Sequence, residues 1–259
     1  MRWGGYREAL ALQLIVAAGT CLCIAVLAPA CQRLNEPSRI DAGFENLKRL
    51  GLVLKVYAND QENEFWLPLA PVNDLWVPDI ARLSGRNIER LQREGLYDPT
   101  MWVNPRLPDA AELRKEMGTL LAEPSVDWER VYRIIAKGYA YLNWYVPDEA
   151  AFEEVKQRYE AMTPFEYGRD IEAENVTYYR LQGQIHRYFM DPDPRGDCTV
   201  RPSQIPALFE ITPGKARGVN VMFMDGRVEL MAIGSAFPAT EGVMQVFSAE
   251  ERSALERSE

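Results

Sequence analysis

The first pattern along the chain is an apolar one. From Ala9 to Ala30 no charged residue occurs in 22 positions, and only Gln13 and Thr20 break the run. A helix of that length rises about 33 Å, enough to cross a hydrocarbon core of about 30 Å. Residues 9–30 are therefore expected to span a membrane, with residues 1–8 as a short cytoplasmic N-terminus. Two alternatives use the same residues. Arg2 and Arg7 form the n-region of a secretory signal, and Ala28-Pro29-Ala30 has small-x-small cleavage spacing. Leu27-Ala28-Pro29-Ala30-Cys31 is similar to a lipobox, with Pro29 interrupting it, and makes Cys31 a candidate lipidation site. Arg2 and Arg7 before the run balance Arg33 and Arg39 after it, so charge does not choose an orientation. With the N-terminus inside by default, the bulk of the chain lies outside the cytoplasm, on the inner membrane of a cell envelope.

The pattern then changes period. Ile40, Phe44, Leu47, Gly51, Leu54 and Ala58 recur at spacings of three and four, with Ser38 as an N-cap, predicting an amphipathic helix to Asn59. Leu50, Val53 and Tyr57 widen its apolar face, as for a helix lying on a sheet, and Glu45, Lys48, Arg49 and Lys55 form its polar edge. Further helices are predicted over 78–94, 109–122, 127–137 and 148–162, with a C-terminal one opening at the capping box Ser248-Ala249-Glu250-Glu251. Strands are expected over 136–146 and 176–181, both rich in Tyr and Val. The strongest strand signal is a hairpin, Val219 to Met224 and Arg227 to Met231 around Asp225-Gly226. A two-residue turn there sets Met224 opposite Arg227, Phe223 opposite Val228 and Val221 opposite Leu230. The domain from 61 to 247 is expected to be α+β, with a tail over 248–259.

Composition narrows the function classes. Apolar residues make up 47% and charged residues 26%, so a core can form. A formal charge of −9 would repel a polyphosphate, so nucleic acid is not an expected partner. A single histidine, His186, excludes multi-histidine metal sites. Cys21, Cys23 and Cys31 lie in or against the apolar run, which leaves Cys198 alone in the remainder and permits no disulfide framework there. Pro213-Gly214-Lys215 lacks the first glycine and the hydroxyl residue of a phosphate loop, and no G-x-S-x-G elbow occurs. Glu153-Glu154 and Glu250-Glu251 are adjacent on helices and point apart. No catalytic residue and no cofactor are expected.

At this point the residues resemble a family. The run Glu45-Asn46-Leu47-Lys48-Arg49-Leu50-Gly51-Leu52-Val53-Leu54-Lys55-Val56-Tyr57-Ala58-Asn59-Asp60 looks like the segment that follows the membrane helix in type IV pilin-like and type II secretion pseudopilin-like proteins. Gly218 to Glu229, around Asp225-Gly226, is similar to the C-terminal element of their prepilin-type His-x9-Asp-Gly group, and Tyr139 to Trp144 to an aromatic strand they carry. Asn46, Leu47, Lys48, Gly51, Tyr57, Asn220, Asp225 and Gly226 are the residues that carry the resemblance. Two departures stand out. Gly5-Tyr6 matches the processing junction, but the fifth mature position is Leu10, with Glu8 two residues early, and Lys215 stands ten residues before Asp225 in the place of the histidine. The resemblance implies a long N-terminal helix packed on an antiparallel sheet, with extra helices inserted, in a membrane-anchored structural subunit whose partners are the bilayer and other pilin-like subunits. As in some such proteins, Asp191, Asp193 and Asp197 offer a loop to calcium; three carboxylates fall short of the six to eight oxygens the ion takes, and no metal is expected. The alternative is a lipid- or signal-anchored envelope binding module that keeps the fold without polymerising.

Overall fold

A computed structural model describes residues 40–61, 66–72, 75–83, 86–163, 166, 168–173, 176–182, 201–211 and 218–247. The predicted membrane span, Gly5, Tyr6, Cys31, His186, Cys198, Lys215, the 191–197 carboxylates and the 248–259 tail lie outside these residues. Among the described residues no helix is long and apolar enough to cross a membrane. The chain divides into two units, Met1–Asp41 and Ala42–Glu259, and the sheet and its covering helices belong to the second.

This unit is α+β, with six α-helices among the described residues and a four-stranded antiparallel sheet. Helix α1 covers residues 40–60, as the apolar stripe predicts: Leu47, Leu50, Val53 and Leu54 are fully buried, and Glu45, Lys48 and Arg49 are exposed. The expected helix over 78–94 forms a 3-10 turn, Ile80–Arg82, and a separate α2, Arg86–Arg93. After a second 3-10 turn, Pro99–Trp102, come α3 (Ala110–Ala122), α4 (Trp128–Ala136) and α5 (Glu149–Ala161). The predicted starts at Asp127 and Asp148 hold because each carboxylate accepts a backbone N–H of the first turn, from Arg130 at 3.1 Å and Ala151 at 2.9 Å. A short α6 occupies residues 241–247, ahead of the expected C-terminal helix.

The strands depart further from expectation. β1 is only Tyr139–Tyr141, because α4 runs to Ala136. Of the expected strand over 176–181, only β3 (Thr177–Tyr178) is strand, paired with β2 (Ile171–Glu172) in a separate ribbon. β4, Pro206–Glu210, was not anticipated, and it lies inside the sheet, whose order is β1-β4-β5-β6 with β5 at Gly218–Phe223 and β6 at Val228–Ala232.

The terminal hairpin exists, but its register is one residue away from the predicted one. Met222 pairs with Val228, Val221 with Glu229 and Asn220 with Leu230. The loop holds three residues rather than two: the Gly226 N–H donates to the Phe223 carbonyl at 2.8 Å, and Gly226 itself sits at φ +88°. This is a turn followed by one left-handed residue, and glycine takes that conformation without a Cβ penalty. The slip exchanges the faces presented by β6. It places Leu230, which the predicted register paired with Val221, beside Asn220.

Side-chain alternation gives the sheet two covered faces. Tyr139, Leu208, Glu210, Asn220 and Met222 lie on the side of α1. Phe209 lies on the other side, where it meets Phe247 of α6 at a ring separation of 5.3 Å, and Phe247 meets Phe152 of α5 at 5.7 Å.

Candidate functional site

The candidate site is the seam between α1 and the sheet, where most of the motif residues meet. α1 approaches closely because two glycines face the strands. A Cβ on Gly51 would fall 2.5 Å from Met222 Sδ. One on Gly43 would run into Glu210 Oε1, with Arg106 Cδ and Asn220 Nδ2 each 3.1 Å away. Any side chain at Gly43 therefore strikes a buried polar cluster.

Glu210 anchors that cluster. Its side chain is fully buried, and its Oε2 accepts from Arg106 at 2.8 Å and from the Asn220 backbone N–H at 3.3 Å. Arg106, with a side chain only 7% exposed, also donates to the Gly218 carbonyl at 3.3 Å. It is aimed by a turn in which its N–H donates to Asn104 Oδ1 at 2.8 Å, while Asn104 Nδ2 donates to the Gly138 carbonyl at 2.9 Å. Burial pushes the Glu210 carboxyl above the usual range, and Arg106 and Asn220 hold it back. One helix turn on from Gly43, Asn46 Nδ2 donates to the Met101 carbonyl and to the Tyr139 hydroxyl, both at 2.7 Å. Burial raises the Tyr139 hydroxyl, the neighbouring Glu210 charge adds to that rise, and the phenol stays protonated.

The far end of the seam is held differently. Lys55 of α1 donates to the carbonyl of Asp225, closing the helix onto the hairpin turn beside Gly226, and Asp225 Oδ1 accepts the Arg227 N–H at 2.9 Å. Tyr57 is buried near Arg82 and Arg180, its hydroxyl raised chiefly by desolvation. Asp79, also buried, accepts from the Tyr132 hydroxyl and from Arg82 at 2.8 Å.

The structure thus brings Asn46, Gly51, Asn220, Asp225 and Gly226 to one seam, with Leu47 buried in the core. Lys48 lies outside it, exposed, with Nζ 3.2 Å from Glu45 and over the Phe44 ring. Sequence reasoning missed Arg106 and Glu210. Glu210 carried a signal, a lone charge in the apolar run Pro206-Ala207-Leu208-Phe209-Glu210-Ile211; Arg106 carried none. Among the described residues no group of three His, Cys, Asp or Glu side chains is placed to hold a metal ion. What this seam offers is structural: a buried, hydrogen-bonded ion pair joins the Arg106 loop to β4, and Gly43 of α1 packs against it.

No protein-family model matches this sequence, and no curated protein and no solved structure matches it.

Proposed function

We propose that this protein is a membrane-anchored, pilin-like structural subunit, its N-terminal helix crossing the inner membrane and continuing into α1, which carries the α+β domain outside the cytoplasm. The observation that supports this most directly is the seam. A glycine-bearing amphipathic helix lies on an antiparallel sheet: Gly51 of the pilin-like segment faces Met222 of the Asp-Gly element directly, and two turns earlier Gly43 faces Glu210 and Asn220. In this reading the seam transmits position from the membrane to the folded domain, and the buried Arg106–Glu210 pair, on which Gly43 of α1 packs, stiffens the sheet side of that joint.

The test is the intact mass of the protein purified from membranes of its native host, with carbonate extraction to separate integral from peripheral material. A carbonate-resistant chain cut between Gly5 and Tyr6 is the expected result for a subunit that assembles. A carbonate-extractable chain overturns the reading. The displacement of Glu8 relative to the usual fifth position favours a second reading, a permanent single-span or Cys31-lipidated binding module with no assembly. An intact Met1 or an acyl mass on Cys31 would decide for that alternative.

A further inference from the structure

The β5–β6 turn at the far end of the seam carries the chain's one Asp-Gly step, Asp225-Gly226, and the sequence has no Asn-Gly step. Glycine has no Cβ to screen its nitrogen, so the carboxyl of a preceding aspartate can approach the peptide that joins the two residues. Asp225 is exposed, in contact with the water such chemistry needs. Three features of the folded turn bear on that approach.

The first is the position of the electrophile. Asp225 Oδ1 accepts the Arg227 N–H at 2.9 Å, and this Asx turn folds the carboxyl back across the Asp225–Gly226 peptide. The second is the nucleophile. Gly226 sits at φ +88°, and its N–H donates to the Phe223 carbonyl at 2.8 Å, a bond that must open before the nitrogen meets the carboxyl. The third is Lys55, whose Nζ donates to the Asp225 carbonyl, the oxygen of the same peptide. An amide that gives up its proton gathers negative charge on that oxygen. A cation held there stabilises the charge as the donors of an oxyanion hole do. Lys55 stands on α1, 170 residues before Asp225, so only the folded chain supplies it.

We propose that Asp225 is a self-modification site, converted to isoaspartate in a reaction that Lys55 promotes and directs. The Gly226 nitrogen loses its proton and bonds to Asp225 Cγ, the carboxyl OH leaves with that proton as water, and a five-membered succinimide closes. Water then opens the ring at one of its two carbonyls. Attack at the side-chain carbonyl restores aspartate. Attack at the main-chain carbonyl, the one that Lys55 polarises, breaks its bond to the Gly226 nitrogen, which recovers a proton. The chain then runs through Cβ and Cγ, and the former main-chain carbonyl is a free carboxylate. The water released in the first step equals the water taken up in the second, and no other reagent is consumed. The product sets the new carboxylate at the Lys55 ammonium, so a charge-assisted pair replaces a hydrogen bond to a neutral carbonyl where α1 meets the hairpin. The site stands on the turn geometry and holds whether or not the N-terminus is processed or the subunit assembles.

The test ages the full-length chain in detergent, in heavy-oxygen water, and releases the turn with trypsin as the peptide Gly218–Arg227 for chromatography and mass spectrometry. Isoaspartate shares the mass of aspartate but not its retention, and heavy oxygen taken up at residue 225 marks every chain that passed through the succinimide. The folded wild type should accumulate isoaspartate at 225 at least threefold faster than Lys55→Met, and with a higher ratio of isoaspartate to labelled aspartate. Lys55→Arg keeps a cation at the turn and should recover most of the rate, with thermal melting confirming that both variants are folded. In urea, where Lys55 no longer reaches the turn, the wild type and Lys55→Met should age alike. A folded wild type that forms no isoaspartate at 225, or a folded Lys55→Met chain that forms it as fast and in the same ratio, overturns the proposal.

Discussion

Across β1, β4 and β5 the two faces of the sheet are both dry, yet they are closed by different chemistry. On the α5–α6 side the contact is aromatic: Trp76 lies 5.4 Å from Phe152 and 4.9 Å from Tyr159, and Phe247 bridges Phe152 and Phe209. On the α1 side the contact is close and polar, with glycines facing the strands and a buried ion pair at one end. Aromatic packing draws most of its strength from the non-directional hydrophobic effect, which survives changes of pH and small shifts of position. A buried pair survives neither, because each charge depends on the other to offset its lost hydration. One side thus supplies bulk stability, while the other sets the register of helix on sheet.

Substitutions can probe this contrast from either side. The largest losses, of about 3–5 kcal/mol each, are expected for Phe152→Ala, which opens a cavity, and for Arg106→Ala, which strands the Glu210 charge. Urea unfolding measures both; if Arg106→Ala costs under about 1 kcal/mol, the ion pair is not what holds the seam. Gly43→Ala should cost about 1–3 kcal/mol by overpacking, because buried, paired polar side chains surround it. Gly51→Ala should cost less, since the atom it meets is the flexible end of Met222. Its loss should be recovered in part by Met222→Ala in the same chain, read as a double-mutant cycle. Gly226→Ala places a Cβ on a residue at positive φ and should cost about 1 kcal/mol. The smallest and sharpest effect is that of pH. Because burial raises the Glu210 carboxyl in the folded state, the protonated form is favoured by folding. Its contribution is full below the unfolded value of 4.5 and is lost as pH rises through the folded one. The wild type should therefore lose stability relative to Glu210→Gln as pH rises from 4.5, on top of a constant offset for leaving Arg106 without its counter-charge, whereas the Phe152→Ala deficit should stay constant over the same range. Parallel pH profiles for wild type and Glu210→Gln would show that the carboxyl does not titrate as its burial requires.

How far the fold was readable in advance depends on the range of the forces involved. The α1 stripe, the α3–α5 helices and the Asp127 and Asp148 caps come from periods and hydrogen bonds that span three or four residues, and those are written locally. The glycine and turn residues at Asp225-Gly226 announced a hairpin, but the loop length, and with it the face of every β6 side chain, depended on one extra residue that pattern alone does not count. β4 escaped notice because Pro206 and a glutamate bracket only three apolar positions, a sequence that reads as a loop until neighbours on both sides supply its hydrogen bonds. Arg106 has no local signature, since its meaning comes from a partner 104 residues away.

The amino-acid order alone settles α1 and α3 to α5, which face of α1 is apolar, and where the chain turns back at its last hairpin. It took the closed core to bring Asn46 to Tyr139, to bury Glu210 against Gly43 and Arg106, and to leave Leu230 half exposed. The two kinds of feature differ in reach. Helix propensity and turn geometry are complete within a few residues, whereas the ion pair and the sheet register depend on desolvation and packing between distant segments, which exist only once those segments have met.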